Sequence, residues 1–321
     1  MQKFYERALC VVTLSAVSAP GLEIAGYLED PARYQRFEMA GDRYFPTKNT
    51  DFILNGVDLS AVGWVGDMER NLSSVRRSVT LITPRHIVFA AHYAPPIGST
   101  IQFMDAEGNL HARRLMGYEV AHLPDGRSTD AGVGVLDASL PPEVKPVSIG
   151  PSEAIDFTGE TLYIYGFTGR VGTNMLTPVW DPSYPFAPYL HTSLDRAPTG
   201  TALGQSGDSG SPTFVMQEGE LVLVGIRLIW AADTWLPTLR DDLERIVGAG
   251  GESLSIFGSE PAGSACAADF NLDAALDAND IAAFVTAFLA GDASANLDDS
   301  SVGLDMGDIM AFVLLYQAGC P

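Results

Sequence analysis

Short β-type runs separated by turn residues recur through the middle of the chain. Ser78-Val79-Thr80-Leu81-Ile82-Thr83 stops at Pro84, and His86-Ile87-Val88-Phe89-Ala90-Ala91 follows at once. Ser99-Thr100-Ile101-Gln102-Phe103-Met104 leads through the turn Asp105-Ala106-Glu107-Gly108-Asn109 to a return strand starting at Leu110. Runs over 131–136, 161–165, 212–216 and 221–226 continue the series, and Gln217-Glu218-Gly219-Glu220 joins the last two as a hairpin connection containing Gly. Many short strands with few helical periods predict an all-β barrel or sandwich. One helix is predicted from Leu239 to Val247, with Leu239, Leu243 and Ile246 on one face and Gly248, Gly250 and Gly251 to stop it.

The pattern changes towards the C-terminus. Beyond the small-residue linker over 259–265, Asp280-Ile281-Ala282-Ala283-Phe284-Val285 recurs 28 residues later as Asp308-Ile309-Met310-Ala311-Phe312-Val313. Apolar positions in each copy fall at helical spacing: Ile281, Phe284, Val285 and Phe288, then Ile309, Phe312, Val313 and Tyr316. Two such helices are expected to bury these stripes against each other.

The N-terminus shows a third pattern. Lys3 and Arg7 flank the start, an apolar run covers 8–14, and Ser15-Ala16-Val17-Ser18-Ala19 is small. This is the zoning of a secretory signal, and the run is too short to span a bilayer. Cleavage after Ser18 is expected, which makes the protein secreted or associated with the cell surface. Residues 19–50 are polar and mixed and read as a propeptide or irregular lead-in. The predicted organisation is therefore signal 1–18, lead-in 19–50, β-rich domain 51–258, linker 259–265 and C-terminal module 266–321.

Charge sharpens this division. The 321 residues carry 19 Lys and Arg against 40 Asp and Glu, a net charge of −21, which argues against a nucleic-acid partner. No Lys or Arg occurs from Ser259 to Pro321, so the C-terminal module is a separate acidic block. Cys10 leaves with the signal. Cys266 and Cys320 remain, an even pair in an exported chain, and they point to a disulfide closing the acidic module on itself.

The candidate chemistry centres on Gly207-Asp208-Ser209-Gly210-Ser211-Pro212, a serine held in a glycine-flanked turn. A hydroxyl is a weak nucleophile and needs an adjacent base. Val88-Phe89-Ala90-Ala91-His92 ends an apolar strand with a histidine, which suits that task near neutral pH. Thr129-Asp130 opens another apolar run, and a buried carboxylate there would fix the imidazole tautomer. The order His92, Asp130, Ser209 is one of the known triad orders. Asp137 is a rival at the far end of the same run. His86, His111, His122 and His191 read as surface or strand histidines, with His86 exposed at a turn.

On these residues the chain resembles the trypsin/chymotrypsin-like serine peptidases. The resemblance covers roughly residues 70 to 235, with Leu223-Val224-Gly225-Ile226 as a further match. It implies an all-β double barrel with the triad in the cleft between barrels, an oxyanion hole from the N–H groups of Gly207 and Ser209, and a protein or peptide substrate. It places Leu203 at the base of the specificity pocket, where the lack of an aspartate argues against cleavage after Arg or Lys. Arg227 is a candidate for the pocket wall, favouring acidic side chains, with a solvent-facing position as the alternative. The resemblance also implies an activation step in which a new N-terminus pairs with Asp208, and Ile53-Leu54-Asn55-Gly56 resembles the start of such mature enzymes. The chain departs from animal members in having Tyr93 after the histidine and no cysteine in the domain.

The acidic block resembles a dockerin, a small all-α module of two calcium loop–helix repeats. Asp269, Asn271, Asp273, Asp277 and Asp280, with the Ala275 carbonyl, stand at EF-hand-type ligand spacing, and calcium takes such oxygen ligands. Ala274 replaces the usual glycine. A second loop with Asn296, Asp298, Asp305 and Asp308 appears one residue longer and is expected to be weak. The resemblance implies calcium as cofactor and a cohesin-like docking partner. The leading expectation is a secreted, anchored serine endopeptidase. Its alternative is a catalytically silent binding or scaffold protein on the same frame.

Overall fold

Six strands, Val62–Val65, Ser78–Leu81, His86–Ala90, Thr100–Met104, Leu110–His122 and Ser128–Leu136, close into a barrel. The structure, a computed structural model, describes residues 21–40, 43–66, 77–151, 159–179, 189–192, 199–229, 232–258, 268–271, 276–292, 295–297 and 304–318. The signal, the linker and all three cysteines lie outside the described residues. Every pairing in the barrel is antiparallel. Its interior is filled by residues such as Phe89, Phe103, Leu81, Ile87, Ile101 and Leu115, each at most 1% exposed. Burying one such side chain stabilises by roughly 1.5–3 kcal/mol.

A second set of strands follows: Thr161–Tyr165, Val171–Val179, Tyr189–Thr192, Pro212–Gln217, Glu220–Ile229 and Ala232–Trp235. Ala232–Trp235 pairs with Tyr189–Thr192 and with Glu220–Ile229, so these six also run round into a ring. Ser148–Ile149 adds to Glu220–Ile229 in parallel. The hairpin at 217–220 turns through Glu218 and Gly219, both at positive φ (51° and 89°). That turn matches the right-handed strand twist.

Two strands run further than their apolar cores. Leu110–His122 spans 13 residues, because charged residues on its exposed edge still pair with the neighbouring strands. Ser128–Leu136 begins before Ala131, which places Asp130 inside a strand and not at its opening turn.

The described part of the lead-in packs into the barrels. Leu22, Ile24, Tyr34 and Phe37 join the buried cores. Buried Arg36 donates to the carbonyls of Val62 and Leu59, both at 2.9 Å, and to Tyr165 Oη at 3.3 Å, tying the two barrels together. The helix Arg240–Gly248 (α1) follows a 3-10 turn, Leu236–Leu239, and buries Leu243, Ile246 and Val247.

The C-terminal module contains α2 (Ala278–Ala290) and α3 (Met306–Ala318). Phe284 stacks on its repeat counterpart Phe312, with ring centroids 4.1 Å apart and planes 3° from parallel. Only part of each predicted stripe is covered, however. Phe288, Ile309 and Tyr316 pack around the stack, whereas Ile281, Val285 and Val313 are 42–46% exposed.

Candidate active site

The barrel registers bring the histidine and aspartate together. Ala90 stands opposite Ala131 in the antiparallel pair, so the chain leaving Ala90 passes beside Asp130. A 3-10 turn, Ala91–Tyr93, then projects His92. Its backbone N–H donates to Asp130 Oδ1 at 2.8 Å, and its Nδ1 lies 2.7 Å from Asp130 Oδ2. Asp130 is 6% exposed, so its carboxylate is committed to this histidine. Beside His92, the Arg77 guanidinium sits 4.5 Å above the Tyr93 ring.

Ser209 reaches the same histidine from the second barrel. His92 Nε2 lies 2.9 Å from Ser209 Oγ. The serine turn is pressed against the first barrel: a Cβ on Gly210 would stand 3.0 Å from the Ala90 nitrogen and 3.2 Å from the Ser78 carbonyl. Ser211 Oγ donates to Ser78 Oγ at 3.0 Å, pinning the turn across the interface. Gly207 has φ +101° and packs on the Phe167 ring, 3.0 Å from where its Cβ would be. Gly210 is thus required by the approach of one barrel's backbone to the other, and Gly207 by the Phe167 ring of its own barrel.

Behind Ser209 lies a set of buried charges. Asp208 is wholly buried and accepts from the N–H groups of Gln205 (2.7 Å) and Phe167 (3.0 Å). Burial pushes its carboxyl up to about 6, against the pull of those N–H groups and of Arg227 and Arg170. Arg227 Nε lies 2.9 Å from Asp233 Oδ1, and Thr213 Oγ1 donates to Asp233 Oδ2 at 2.5 Å. Burial also raises Asp233, with Arg227 and Thr213 opposing.

Arg227 departs from both expectations for it, pocket wall and solvent-facing position. Arg227 is 1% exposed and paired with Asp233, so it neither faces solvent nor presents a charge to a ligand. Leu203 is buried and pairs with Glu23 in the short ladder of Glu23–Ile24 and Ala202–Leu203. Ile53 is part of the first core, and its N–H donates to the Arg33 carbonyl at 2.8 Å. The N-terminal segment lying against Asp208 is instead Gly21-Leu22. A Cβ on Gly166 would be 2.7 Å from Leu22 Cβ and 3.0 Å from Asp208 Oδ1. The ladder is two residues long, too short to leave a period in the sequence.

His86, His111 and His122 make contacts away from the triad. His86 is buried and not turn-exposed: its Nδ1 meets Thr83 Oγ1 and Glu252 Oε2, both at 2.9 Å. His111 Nε2 lies 2.9 Å from Asp105 Oδ2. His122 lies beside Asp242, whose carboxylate accepts the His122 N–H at 2.7 Å. His191 lies in a strand whose side chains are outside the described residues. Asp137 accepts the Arg114 N–H at 3.1 Å and takes no part in the triad. A cavity of about 170 Å³ lined by Leu59, Val62, Val147, Phe214 and Leu221 contains none of the triad residues.

In the C-terminal module the two repeats hold one carboxylate alike. Buried Asp280 accepts the N–H groups of Asn271 (3.2 Å) and Asp277 (2.8 Å); buried Asp308 accepts those of Leu297 and Asp305, both at 2.8 Å. Asp280 reaches back nine residues and Asp308 eleven, so the second loop is longer by two on this measure. Burial raises the Asp280 carboxyl, but backbone N–H groups and the neighbouring Asp269 side chain outweigh it and leave it lowered. Asp269 is itself buried. Asn296 lies in the second loop. Among the described residues no three His, Cys, Asp or Glu side chains converge. Asp273, Ala275 and Asp298 lie outside the described residues.

No family model and no curated protein matches this chain. Many solved structures are similar. Among them is a mutant of human heparin binding protein (CAP37), 13% identical, with a TM-score of 0.44 over 59% of this chain and 92% of that one. A likeness of that size carries no argument about chemistry.

Proposed function

We propose that this protein is an exported serine endopeptidase attached through a calcium-dependent C-terminal module. One observation carries the catalytic part: His92 Nε2 stands 2.9 Å from Ser209 Oγ while Nδ1 is held 2.7 Å from Asp130. Nδ1–H donates a hydrogen bond to the carboxylate and keeps its proton, which leaves Nε2 free as acceptor. His92 takes the Ser209 proton as Oγ attacks the scissile carbonyl. The tetrahedral oxyanion is received by the N–H groups of Gly207 and Ser209. His92 then protonates the leaving amine, and water repeats the sequence on the acyl-enzyme. Asp130 stabilises the imidazolium at both stages.

Leu203 offers no charge to a substrate, and Arg227 is neutralised by Asp233. Cleavage after charged residues of either sign is therefore disfavoured, and the substrate is a peptide with an uncharged residue before the scissile bond.

In the module, two buried neighbouring carboxylates, Asp269 and Asp280, repel each other unless a cation or a proton intervenes. That donor set suits calcium. Asp269, Asn271, Asp273, Asp277, Asp280 and the Ala275 carbonyl would hold it, and the ion would supply the positive charge that orders the loop. The exposed apolar positions Ile281, Val285, Leu289, Met310, Val313 and Leu314 would meet a cohesin-like partner.

Labelling with a fluorophosphonate probe tests the enzyme. Ser209-dependent label is expected, and its absence from a folded protein returns the silent-scaffold reading. Calorimetry of the full chain with calcium tests the module; no heat and no shift in melting would remove the metal.

A further inference from the structure

Gln35-Arg36-Phe37 forms a buried strap between the two barrels, each residue at most 4% exposed. The Arg36 guanidinium donates to the Leu59 and Val62 carbonyls beside the first barrel and to Tyr165 Oη in the second. Its backbone N–H donates to the Gly169 carbonyl at 2.9 Å, and Gln35 forms an isolated bridge with Arg170. The Phe37 ring lies directly on Gly169, where an added Cβ would stand 2.8 Å from it. Asn49 fastens the strap: its side-chain amide donates to the Ala32 and Gln35 carbonyls at 2.7 and 2.8 Å, and its N–H donates to the Arg36 carbonyl at 3.1 Å.

Two routes lead from the strap to Ser209. In the second barrel the loop over 166–170 is closed by the Gly169 N–H, which donates to the Gly166 carbonyl at 2.9 Å. Phe167 of that loop donates its N–H to Asp208 at 3.0 Å and lays its ring on Gly207. In the first barrel Phe37 meets Trp64 edge-on, with ring centroids 5.5 Å apart. Trp64 stands opposite Ser78, whose Oγ accepts from Ser211. Residues on both sides of the nucleophile thus rest on elements that the strap holds.

We propose that Arg36 is a positioning residue for Ser209: it fixes the loop over 166–170 against both barrels, so the segment that carries it stays in the working protein and is not a removable propeptide. This rests on the endopeptidase reading. Arg36 acts through Phe167 and touches no reacting atom. A planar guanidinium presents several N–H groups at fixed angles, so one side chain serves carbonyls of one barrel and a hydroxyl of the other. A lysine ammonium is a compact centre and can serve only some of them. Any shift of the loop would pass through Phe167 to Gly207, whose N–H receives the oxyanion in the proposed mechanism. A misplacement of about 1 Å at such a group costs up to roughly 10²-fold in rate.

The test labels the full chain with a fluorophosphonate probe, well below the melting temperature of each form. Peptide mapping of the labelled wild-type protein should recover the peptide containing Arg36. Labelled protein purified without that peptide overturns the inference and leaves the hydrolase reading intact; no label at all removes both. Arg36→Met should lower the limiting labelling rate about tenfold or more, with the half-saturating probe concentration little changed, and Arg36→Lys should restore part of it. A merely structural arginine would lower the melting temperature and leave the rate alone, so a folded Arg36→Met that labels at the wild-type rate overturns the inference. If Arg36→Met does not fold, Asn49→Ala loosens the strap at Ala32 and Gln35 and should slow labelling about threefold. An unchanged rate in that variant overturns the inference as well.

Discussion

The two barrels hold their shares of the site by different physics. The first supplies His92 and Asp130 through strand register: Ala90 opposite Ala131 fixes their separation, and the Asp130 carboxylate accepts the His92 backbone N–H. The second supplies Ser209 through a turn backed by buried ions, Asp208, Arg227, Asp233 and Arg170. Each barrel also buries an aspartate that shows the difference. Burial raises Asp105 in the first, but hydrogen bonds from His111 and Asn109 outweigh it and bring the carboxyl down to about 2. In the second, burial wins at Asp208 and the carboxyl rises to about 6. The turn that carries the nucleophile therefore has a raised carboxyl directly behind it.

The largest expected effect comes from breaking the join between the barrels. Ser209→Ala or His92→Ala should lower hydrolysis by about 10⁴-fold or more, measured as kcat on a peptide substrate, with the melting temperature nearly unchanged. Gly210→Ala attacks the interface itself. A Cβ would meet the Ala90 nitrogen and Ser78 carbonyl at a φ of +83°, so a loss of about 1–3 kcal/mol in denaturant unfolding is expected, with activity falling as well.

The two aspartates give opposite pH signatures. Asp208 has a raised carboxyl, so its contribution to stability is full below about 4 and is lost as pH rises through about 6. Asp208→Asn should flatten the melting-temperature profile between those values while abolishing activity. Asp105 has a lowered carboxyl, so its contribution is present above about 4 and lost as pH falls towards about 2. Asp105→Asn should cost about 1–2 kcal/mol at neutral pH and flatten only the acid end. Equal slopes in the two variants would erase the contrast between the barrels.

In the C-terminal module a comparable test is Phe284→Ala. It removes half of the Phe284–Phe312 stack and should destabilise the module by about 3–5 kcal/mol, read as loss of its helical signal.

Much of this was legible in the chain because the signals are local. Short apolar runs with turn residues between them mark strands through side-chain alternation and turn chemistry, and the 28-residue repeat marks α2 and α3 because each copy carries its own helical period. His92, Asp130 and Ser209 each sit in a recognisable local setting. Strand Val171–Val179 left no such trace because Gly172, Asn174 and Pro178 interrupt its apolar run, and the ladder of Glu23 with Leu203 left none because its two halves lie far apart in sequence. Likewise nothing in the turn-like setting Thr83-Pro84-Arg85-His86 marks His86 as buried; Glu252 closes over it only after the chain has passed through both barrels.

The sequence by itself determined the strand-rich chain, the tandem helices, and the residue types able to act as nucleophile, base and orienting acid. Tertiary structure decided which of them meet, because a 2.9 Å contact between residues 117 positions apart depends on two barrel closures that no local pattern encodes. It also decided the state of Arg227. An arginine in an apolar run reads equally as pocket wall or surface, and only the fold places Asp233 and Asp208 around it and takes its charge out of reach of any substrate.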